Sequence, residues 1–405
     1  MILKVIGIIV IMAAFITAAA DIIPLMGTWF SRIHIGRHSD MGQWEKDIAG
    51  VVSKWLVKTP KVKITDNTRL IIIDILKGNY SKDALQSWQK AALLLGAHEY
   101  MKNSADKLFE SEFDSRGMWR NKPEEIDCAI LAYALMKNGT ADVEKYRPAL
   151  DYTWNLIKEH IGDDGTVFYR KSVKEARFVD TIGLICPFLT AYGLRYHKTQ
   201  CIDLAFRQIK QYELKGMLEK HRIPCHAYDI KTGMPLGLYG WGRGLGWYAI
   251  GLGDTLSQLP EDSIYRRELV KITEAFALSI MKLQGDDGAW TWNTGDRGAR
   301  KDSSATAVLS WFLLSASEIN GIKGQCLKSA EKGIEYLMKV TRRNGIVDFS
   351  QGDTKGMGVY SQNFDILPFT QGFALRAVNE LRGVKGTRYL SEYVDNQSVF
   401  NKEVL

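Results

Sequence analysis

A glycine-centred turn followed by an aromatic cluster, a polar loop and an apolar helix recurs along this chain. It stands at Ser115-Arg116-Gly117 with Trp119, at Asp163-Asp164-Gly165 with Phe168 and Tyr169, at Thr232-Gly233, at Asp286-Asp287-Gly288 with Trp290 and Trp292, and at Arg343-Asn344-Gly345 with Phe349. Successive units lie roughly 50–70 residues apart, the length of a helical hairpin with its loops, and an internal period of that order signals a repeat architecture. The segments after each loop, Ala129 to Met136, Thr181 to Tyr192, Tyr248 to Leu256, Ala305 to Ala316 and Phe373 to Val378, are apolar nearly all round. Helices of that kind are buried on both sides, whereas Tyr265 to Lys282 and Leu327 to Lys339 alternate charge and apolarity like outer helices with one wet face. A first pair is expected from Ile48 to Leu56 or Arg69 to Gly78 outside and Ser87 to Tyr100 inside. The pattern predicts an all-α fold, an (α/α)6 barrel or six-hairpin toroid, in a single domain over residues 41–390 with a tail over 391–405.

The chain of 405 residues is 46% hydrophobic and 24% charged, as expected of an ordered globular protein with ample capacity for a core. Its 11 Trp are many, and sugar-binding clefts are one common reason for that. The net charge of +7 suits an anionic ligand, but it forms no Lys/Arg block, so nucleic acid is not expected as a partner. Five cysteines, odd in number and without CxxC spacing, argue against a zinc site and against a disulfide framework, and predict buried thiols. Residues 1–30 differ from the rest: Lys4, an uncharged run from Val5 to Ala20, Asp21, then apolar residues to Trp29 and Phe30. This reads as a secretory signal cleaved before Asp21, as an uncleaved membrane anchor interrupted by Asp21 and Pro24, or as a buried first helix of a cytosolic protein. The first two place the rest of the chain outside the cytoplasm, membrane-anchored or secreted to the periplasm.

In a ring of hairpins the inner helices converge with their N-termini on one mouth, which their unpaired N–H groups make electropositive. The polar residues at those starts are Asp127, Asp180, the Trp241-Gly242-Arg243 turn, Ser303-Ser304 and Gln371. Asp127 and Asp180 each precede an apolar run and fit simple N-caps. Facing one mouth, they would instead form a carboxylate pair in which repulsion and burial raise one pKa. Asp180, between Phe178-Val179 and Ile182 to Phe188, has the less polar surroundings and is the better proton donor; Asp127 follows Glu124-Glu125. His226 is expected in a loop before the glycine-rich stretch Tyr239 to Tyr248, where Trp241 and Trp247 offer flat faces and Arg243 a cation for a charged sugar.

The ordered set Asp127, Phe178-Val179-Asp180 with Cys186-Pro187-Phe188-Leu189, His226-Ala227-Tyr228-Asp229, Trp241-Gly242-Arg243-Gly244-Leu245-Gly246-Trp247-Tyr248, Asp287-Gly288-Ala289-Trp290 and Ser303-Ser304-Ala305-Thr306-Ala307 resembles the unsaturated rhamnogalacturonyl hydrolases, relatives of the unsaturated glucuronyl hydrolases. The likeness runs from about Ser87 to Ala377, and the Trp-Gly-Arg-Gly-x-Gly-Trp turn is its most specific part. The resemblance implies a glycosidase of polysaccharide degradation that removes a 4,5-unsaturated uronic acid from the non-reducing end of lyase-generated oligosaccharides. It implies that Asp180 protonates C4 of the vinyl ether and then helps water add at C5, and that Asp127 holds the sugar and tunes Asp180. His226, Arg243, Trp241 and Trp247, with Ser303 and Ser304, would contact the substrate, and neither metal nor organic cofactor is needed.

Thr181-Ile182-Gly183-Leu184 and Leu245 depart from the family pattern, and both changes are expected to remove polar or flat contacts from the cleft. Alternative readings on the same toroid are a non-catalytic carbohydrate-binding or polysaccharide-assembly protein, a lyase, an inverting glycosidase, or an epimerase. An inverting enzyme would need acid and base roughly 6.5–9.5 Å apart.

Overall fold

Alternation of wholly apolar with one-sided helices dictates two concentric layers, and the computed structural model, which describes residues 1–81, 85–97 and 101–386, has them. Helix α1 (Ile2–Arg32) and the short α3 (Ile71–Leu76) stand outside the ring. Among the described residues the outer layer is α2 (Met41–Val57), α5 (Lys102–Glu112), α7 (Arg147–Lys158), α9 (Thr199–Lys215), α11 (Arg266–Lys282) and α13 (Lys323–Lys339). The inner layer is α4 (Gln86–Gly96), α6 (Cys128–Lys137), α8 (Val179–Arg195), α10 (Gly242–Gln258), α12 (Ser303–Ala316) and α14 (Pro368–Lys385). Each inner helix packs on the next, and α14 closes the circle on α4. This is the expected (α/α)6 barrel.

Burial follows the two patterns. In α12 every residue but Ser315 is buried, whereas α9 buries only one stripe of its surface. Two glycines bring the ends of the ring together: a Cβ on Gly96 would stand 2.2 Å from the carbonyl oxygen of Gly372, so any other residue there would force α4 and α14 apart. The main core is one contiguous cluster running from Trp44 to Leu381, and a small second cluster joins Ala176, Phe178 and Ala227 across β1 and β3.

The turn repeat has a backbone cause. Gly117, Gly165, Gly233, Gly288 and Gly345 all have positive φ, between 70° and 91°, a region that L side chains rarely adopt. The turn at Gly117 is closed by the bridge Phe113–Trp119, that at Gly165 by Ile161–Val167, and that at Gly345 by Thr341–Val347. Among the described residues the first outer-to-inner connection has a positive-φ glycine, Gly78, but no bridge that closes a turn around it. There the ring uses α2 rather than Arg69 to Gly78, and the long segment between α2 and α4 carries α3 and leans outward to α1.

Two further expectations need correction. Helix α1 runs unbroken through Asp21 and Pro24, and the Asp21 carboxylate accepts the N–H groups of Leu70 and Ile71 at the start of α3. His226 lies on a strand rather than in a loop: β3 (Ile223–Asp229) pairs antiparallel with β1 (Ala176–Phe178), β2 (Met217–Leu218) and β4 (Pro235–Tyr239). All five cysteines are buried free thiols, as expected, while the tail over 391–405 and Tyr100 lie outside the described residues.

Candidate active site

The inner helices start at one end of the barrel, and a cavity of about 1030 Å³ opens there. Its lining brings together Asp127, Asp180, His226, Trp241, Arg243 and Trp247, six of the eight residues singled out from the sequence. Neither carboxylate is a helix cap: Asp127 stands at the N-cap position of α6 and Asp180 in the first turn of α8, and no cap hydrogen bond is made by either side chain. Both point sideways into the cavity wall instead.

Asp127 is 1% exposed and fully engaged. Its Oδ1 accepts from the Tyr169 hydroxyl at 2.8 Å and from Arg170 at 3.1 Å, and its Oδ2 accepts from Arg170. Arg170 in turn lies flat on the Tyr169 ring, 3.7 Å from its centroid. A buried carboxylate held by a guanidinium and a phenol is a fixed negative charge.

Asp180 is the opposite case. Its side chain is 13% exposed, and its Oδ2 is buried without a hydrogen-bond partner. Burial pushes its pKa up to about 7; its own backbone N–H and the Arg243 guanidinium oppose the shift, while Asp353 and Asp127 add to it. Desolvation disfavours the charged form, so this carboxyl is an acid poised near neutrality. His226 Nε2 stands 3.7 Å from Asp180 Oδ2, and His226 Nδ1 lies 3.1 Å from the Tyr360 hydroxyl. Burial, with the Arg243 charge behind it, pushes the His226 pKa down to about 4, so the imidazole beside the acid is neutral. The His226 ring is clamped between Phe178, Trp241 and Tyr360. Opposite, Gly237 leaves no room for a side chain: a Cβ there would stand 2.8 Å from the Tyr360 hydroxyl.

Arg243 reaches the cavity wall with two of its nitrogens committed. They donate to the backbone carbonyls of Gln351 and Gly352, each at 2.6 Å, while the Trp241 indole N–H donates to the Gln351 side chain at 2.9 Å. Two donors of the cation expected to meet a charged sugar are therefore spent on the chain, and the guanidinium fixes the segment that leads to Asp353. Trp241 and Trp247 are 2% and 3% exposed, so they show the cavity edges rather than open faces; Trp247 packs edge-on against Trp88.

Ser303 and Ser304 do not line the cavity. Both are wholly buried, and Ser304 donates to the carboxylate of Asp302, which also accepts the backbone N–H of Gln351 at 3.0 Å. The segment Ser350–Gln351, paired with Phe364–Asp365, covers the start of α12 and shuts these hydroxyls away. Gln371, likewise buried, ties its amide to backbone groups of Ile48, Gly345 and Val347. Of the two departures, Leu184 lines the cavity but Leu245 is core, so the second removes no contact from the cleft.

Sequence reasoning passed over Trp88, Tyr169, Arg170 and Asp353, all in the lining. Tyr169 and Arg170 follow the Gly165 turn, so the repeat itself could have flagged them. Asp353 lies near the acid and carries a pKa pushed up to about 6, by burial first, with Asp127 adding to it and Arg243 opposing. No helix start follows it, and the sequence holds no signal for its place.

Comparison with known proteins agrees with this architecture. The sequence model of Glycosyl Hydrolase Family 88 matches residues 87–382. Protein Atu3128 of Agrobacterium fabrum is 33% identical over 156 residues, which are 36% of this chain and 65% of that protein; a 24.9 kDa protein in the picA locus of Rhizobium radiobacter matches equally. The chain thus spans 65% of the length of these curated relatives. Among solved structures, a possible member of the GH105 family from Salmonella enterica serovar Paratyphi A superposes with a TM-score of 0.73 at 19% identity, over 86% of this chain and 96% of that one. The unsaturated glucuronyl hydrolase from Bacillus sp. GL1 superposes with a TM-score of 0.61 at 16% identity, over 85% and 96%. At those identities the structures speak for the fold, and the family match, covering most of the residues from the first inner helix to the last, speaks for descent: this chain belongs to glycosyl hydrolase family 88.

Proposed function

We propose that the protein is a glycoside hydrolase that takes an oligosaccharide and removes a 4,5-unsaturated uronic acid from its non-reducing end by hydrating the vinyl ether. The observation that carries this reading is Asp180: a carboxyl with an unpartnered oxygen in a large cavity, poised near pH 7. As the neutral acid, Asp180 gives its proton to C4 of the C4=C5 double bond, and the positive charge that develops at C5 is shared with the ring oxygen. The Asp180 carboxylate then takes a proton from water as its oxygen bonds to C5. The hemiketal opens, the C1 hemiacetal breaks, and the aglycone leaves as an alcohol. One water is consumed, and the same residue serves as acid and then as base.

Asp127, fixed by Arg170 and Tyr169, supplies a negative charge that favours the protonated form of Asp180 and the cationic transition state. Neutral His226 orients the acid without neutralising it, and the edges of Trp241 and Trp247 bound the sugar. Because both Asp127 oxygens are engaged, Asp127 is a poor base for activating a separate water, which argues against an inverting glycosidase. The polar wall and the two acids favour turnover over a purely binding role.

The N-terminal helix is read as an uncleaved anchor that holds the barrel on the extracytoplasmic side. It is long and apolar enough to cross a membrane, the mean hydropathy of its most apolar 18-residue stretch is 2.6, and none of that stretch is buried. Asp21 and Arg32 tie it into the fold, Arg32 by an ion pair with Asp348 at 2.8 Å, contacts of a retained element rather than a discarded one.

The test is the loss of ultraviolet absorbance from the enol-ether chromophore of lyase-generated oligosaccharides. Decay is expected with the native protein and should slow by about a hundredfold or more in Asp180→Asn, which has no equivalent proton to give. An Asn variant as fast as the parent removes Asp180 from the role of acid; no decay on any unsaturated uronide moves the reading to a binding protein.

A further inference from the structure

The segment between α2 and α4 does two things at once. Ile64, Thr65, Asp66, Asn67, Asp74 and Asn79 form a wall of the cavity, and the same segment carries α3, which packs on α1. One side of α3 faces the barrel: Ile71 is buried, and Asp74 accepts from the Thr65 hydroxyl and the Asn67 amide. The other side is bare. Leu70, Ile73 and Leu76, spaced three apart, are 55%, 41% and 80% exposed, with Ile75 beside them at 51%. Arg69 and Lys77 flank this strip, and both are exposed.

The height of α3 along α1 says what covers it. The Asp21 carboxylate takes the N–H groups of Leu70 and Ile71 at 2.7 and 3.0 Å, which pins α3 at that level. The stretch before Asp21, Ile2 to Ala20, is about 28 Å long at 1.5 Å per residue, against a hydrocarbon core of about 30 Å. With Ile2 at the far face of the bilayer, Asp21 falls at the near membrane surface. Arg32, which holds α1 to Asp348 at the cavity end of the barrel, lies about 16 Å further along the same helix.

On the anchor reading given above, we infer that α3 is a second membrane contact: its apolar strip rests in the boundary between headgroups and acyl chains of the bilayer that α1 crosses, with Arg69 and Lys77 on anionic headgroups. An apolar strip flanked by basic residues is the pattern of interfacial helices, and a second contact on the bilayer fixes the orientation that a single spanning helix leaves open. The consequence is orientation. The wall of the cavity from Ile64 to Asn79 belongs to the segment that carries α3, so the cavity is held beside the membrane surface, where a glycan chain lying along it can enter.

Full-length protein in vesicles of phosphatidylcholine and phosphatidylglycerol tests this, with a bimane probe on single introduced cysteines and lipids brominated on the acyl chain as quenchers. The five native thiols are buried, so the introduced cysteine is the reactive one. Three exposed positions serve: Phe15→Cys in α1, Leu76→Cys in α3, and Ile264→Cys in the connection between α10 and α11 at the opposite end of the barrel. Strong quenching is expected at position 15, about twofold quenching at 76, as for a probe about 5–10 Å into the boundary, and none at 264. Quenching at 15 with none at 76 overturns the docking and leaves the anchor standing. No quenching at either overturns both. A blue-shifted but unquenched probe at 76 shows that protein, a partner or a second copy, covers the strip, and overturns the proposal as well.

Discussion

The burial that makes Asp180 an acid has a cost in stability that can be measured without substrate. Its carboxyl has an ordinary value of 3.8 and a folded value of about 7, so over the interval between them the folded protein holds a proton that the unfolded chain releases. Stability is full below the unfolded value, falls as pH rises toward the folded one, and stays low above it. At about 1.4 kcal/mol per unit, the term deepens by roughly 2–3 kcal/mol between about pH 5 and about pH 8. Asn carries no such term. The difference in stability between Asp180→Asn and the parent should therefore grow in favour of the variant by that amount across the interval, whatever the two side chains contribute by packing, since packing does not titrate. For a barrel of this length, scaling the entropy of unfolding per residue gives a rise in the Tm difference of about 2–5 °C. The assay is thermal unfolding of both proteins at a series of pH values, beside the absorbance assay on the same samples: a variant more stable at alkaline pH and at least about a hundredfold slower is the expected pair. A Tm difference flat from pH 5 to 8 would show that Asp180 titrates normally, and the argument for an acid made by burial would fail.

Activity of the native protein should decline as pH rises past about 7, when Asp180 loses its proton, with no limb from His226 above pH 5, since burial holds that imidazole neutral. Replacing Asp353 by Asn removes a negative charge that raises Asp180, so the alkaline limb of the kcat/KM profile should move to lower pH; a limb that stays put or moves up refutes the coupling. Ser304→Ala should leave KM unchanged and lower stability by about 1–3 kcal/mol in chemical denaturation, because Asp302 loses a buried donor; a raised KM with unchanged stability would restore Ser304 to the substrate. Asp254 is buried inside the ring, bound to Arg376 and to the Tyr133 hydroxyl, so Asp254→Ala should cost about 3–5 kcal/mol by stranding a buried guanidinium, and a loss under about 1 kcal/mol would mean that the pair is solvated.

The ring was legible because hairpin periodicity is a local property: apolar positions on all faces mark an inner helix, a single stripe marks an outer one, and a glycine before five of the six inner helices marks the turn. The same logic led to Asp127, Asp180 and the Trp241-Gly242-Arg243 turn, which stand at inner-helix starts and line the cavity. It misled at Ser303 and Ser304, also at a helix start, because the loop that covers them comes from residues 350–352, some 47 positions later, and nothing local announces it. Asp353 escaped for the same reason in reverse. Arg243 takes the carbonyls of Gln351 and Gly352 and so carries Asp353 to the wall, a pairing of distant segments that no periodicity encodes. His226 was found through the motif beside it, but its strand was not, since β3 alternates little and is buried on both faces.

Electrostatics at the mouth is where two rules of comparable standing meet. The first turn of α8 should favour a carboxylate at Asp180, and Arg243 nearby pulls the same way, so a reading from helix starts alone predicts an ordinary ionised Asp. A helix terminus is worth about 0.3–1 kcal/mol to an anion, less than one pKa unit. Removing a carboxylate from water can shift it by up to about 3–5 units. The sum is decided by burial, and the sequence already held the cause in Phe178-Val179 before the residue and Ile182 to Phe188 after it. The guanidinium cannot reverse it, because two of its nitrogens are held on backbone carbonyls and it acts on Asp180 only through its charge. What separates Asp180 from Asp127, also at the start of an inner helix, is then the identity of the neighbours: Tyr169 and Arg170 satisfy one carboxylate with hydrogen bonds, and the other is left with a buried oxygen that has no partner.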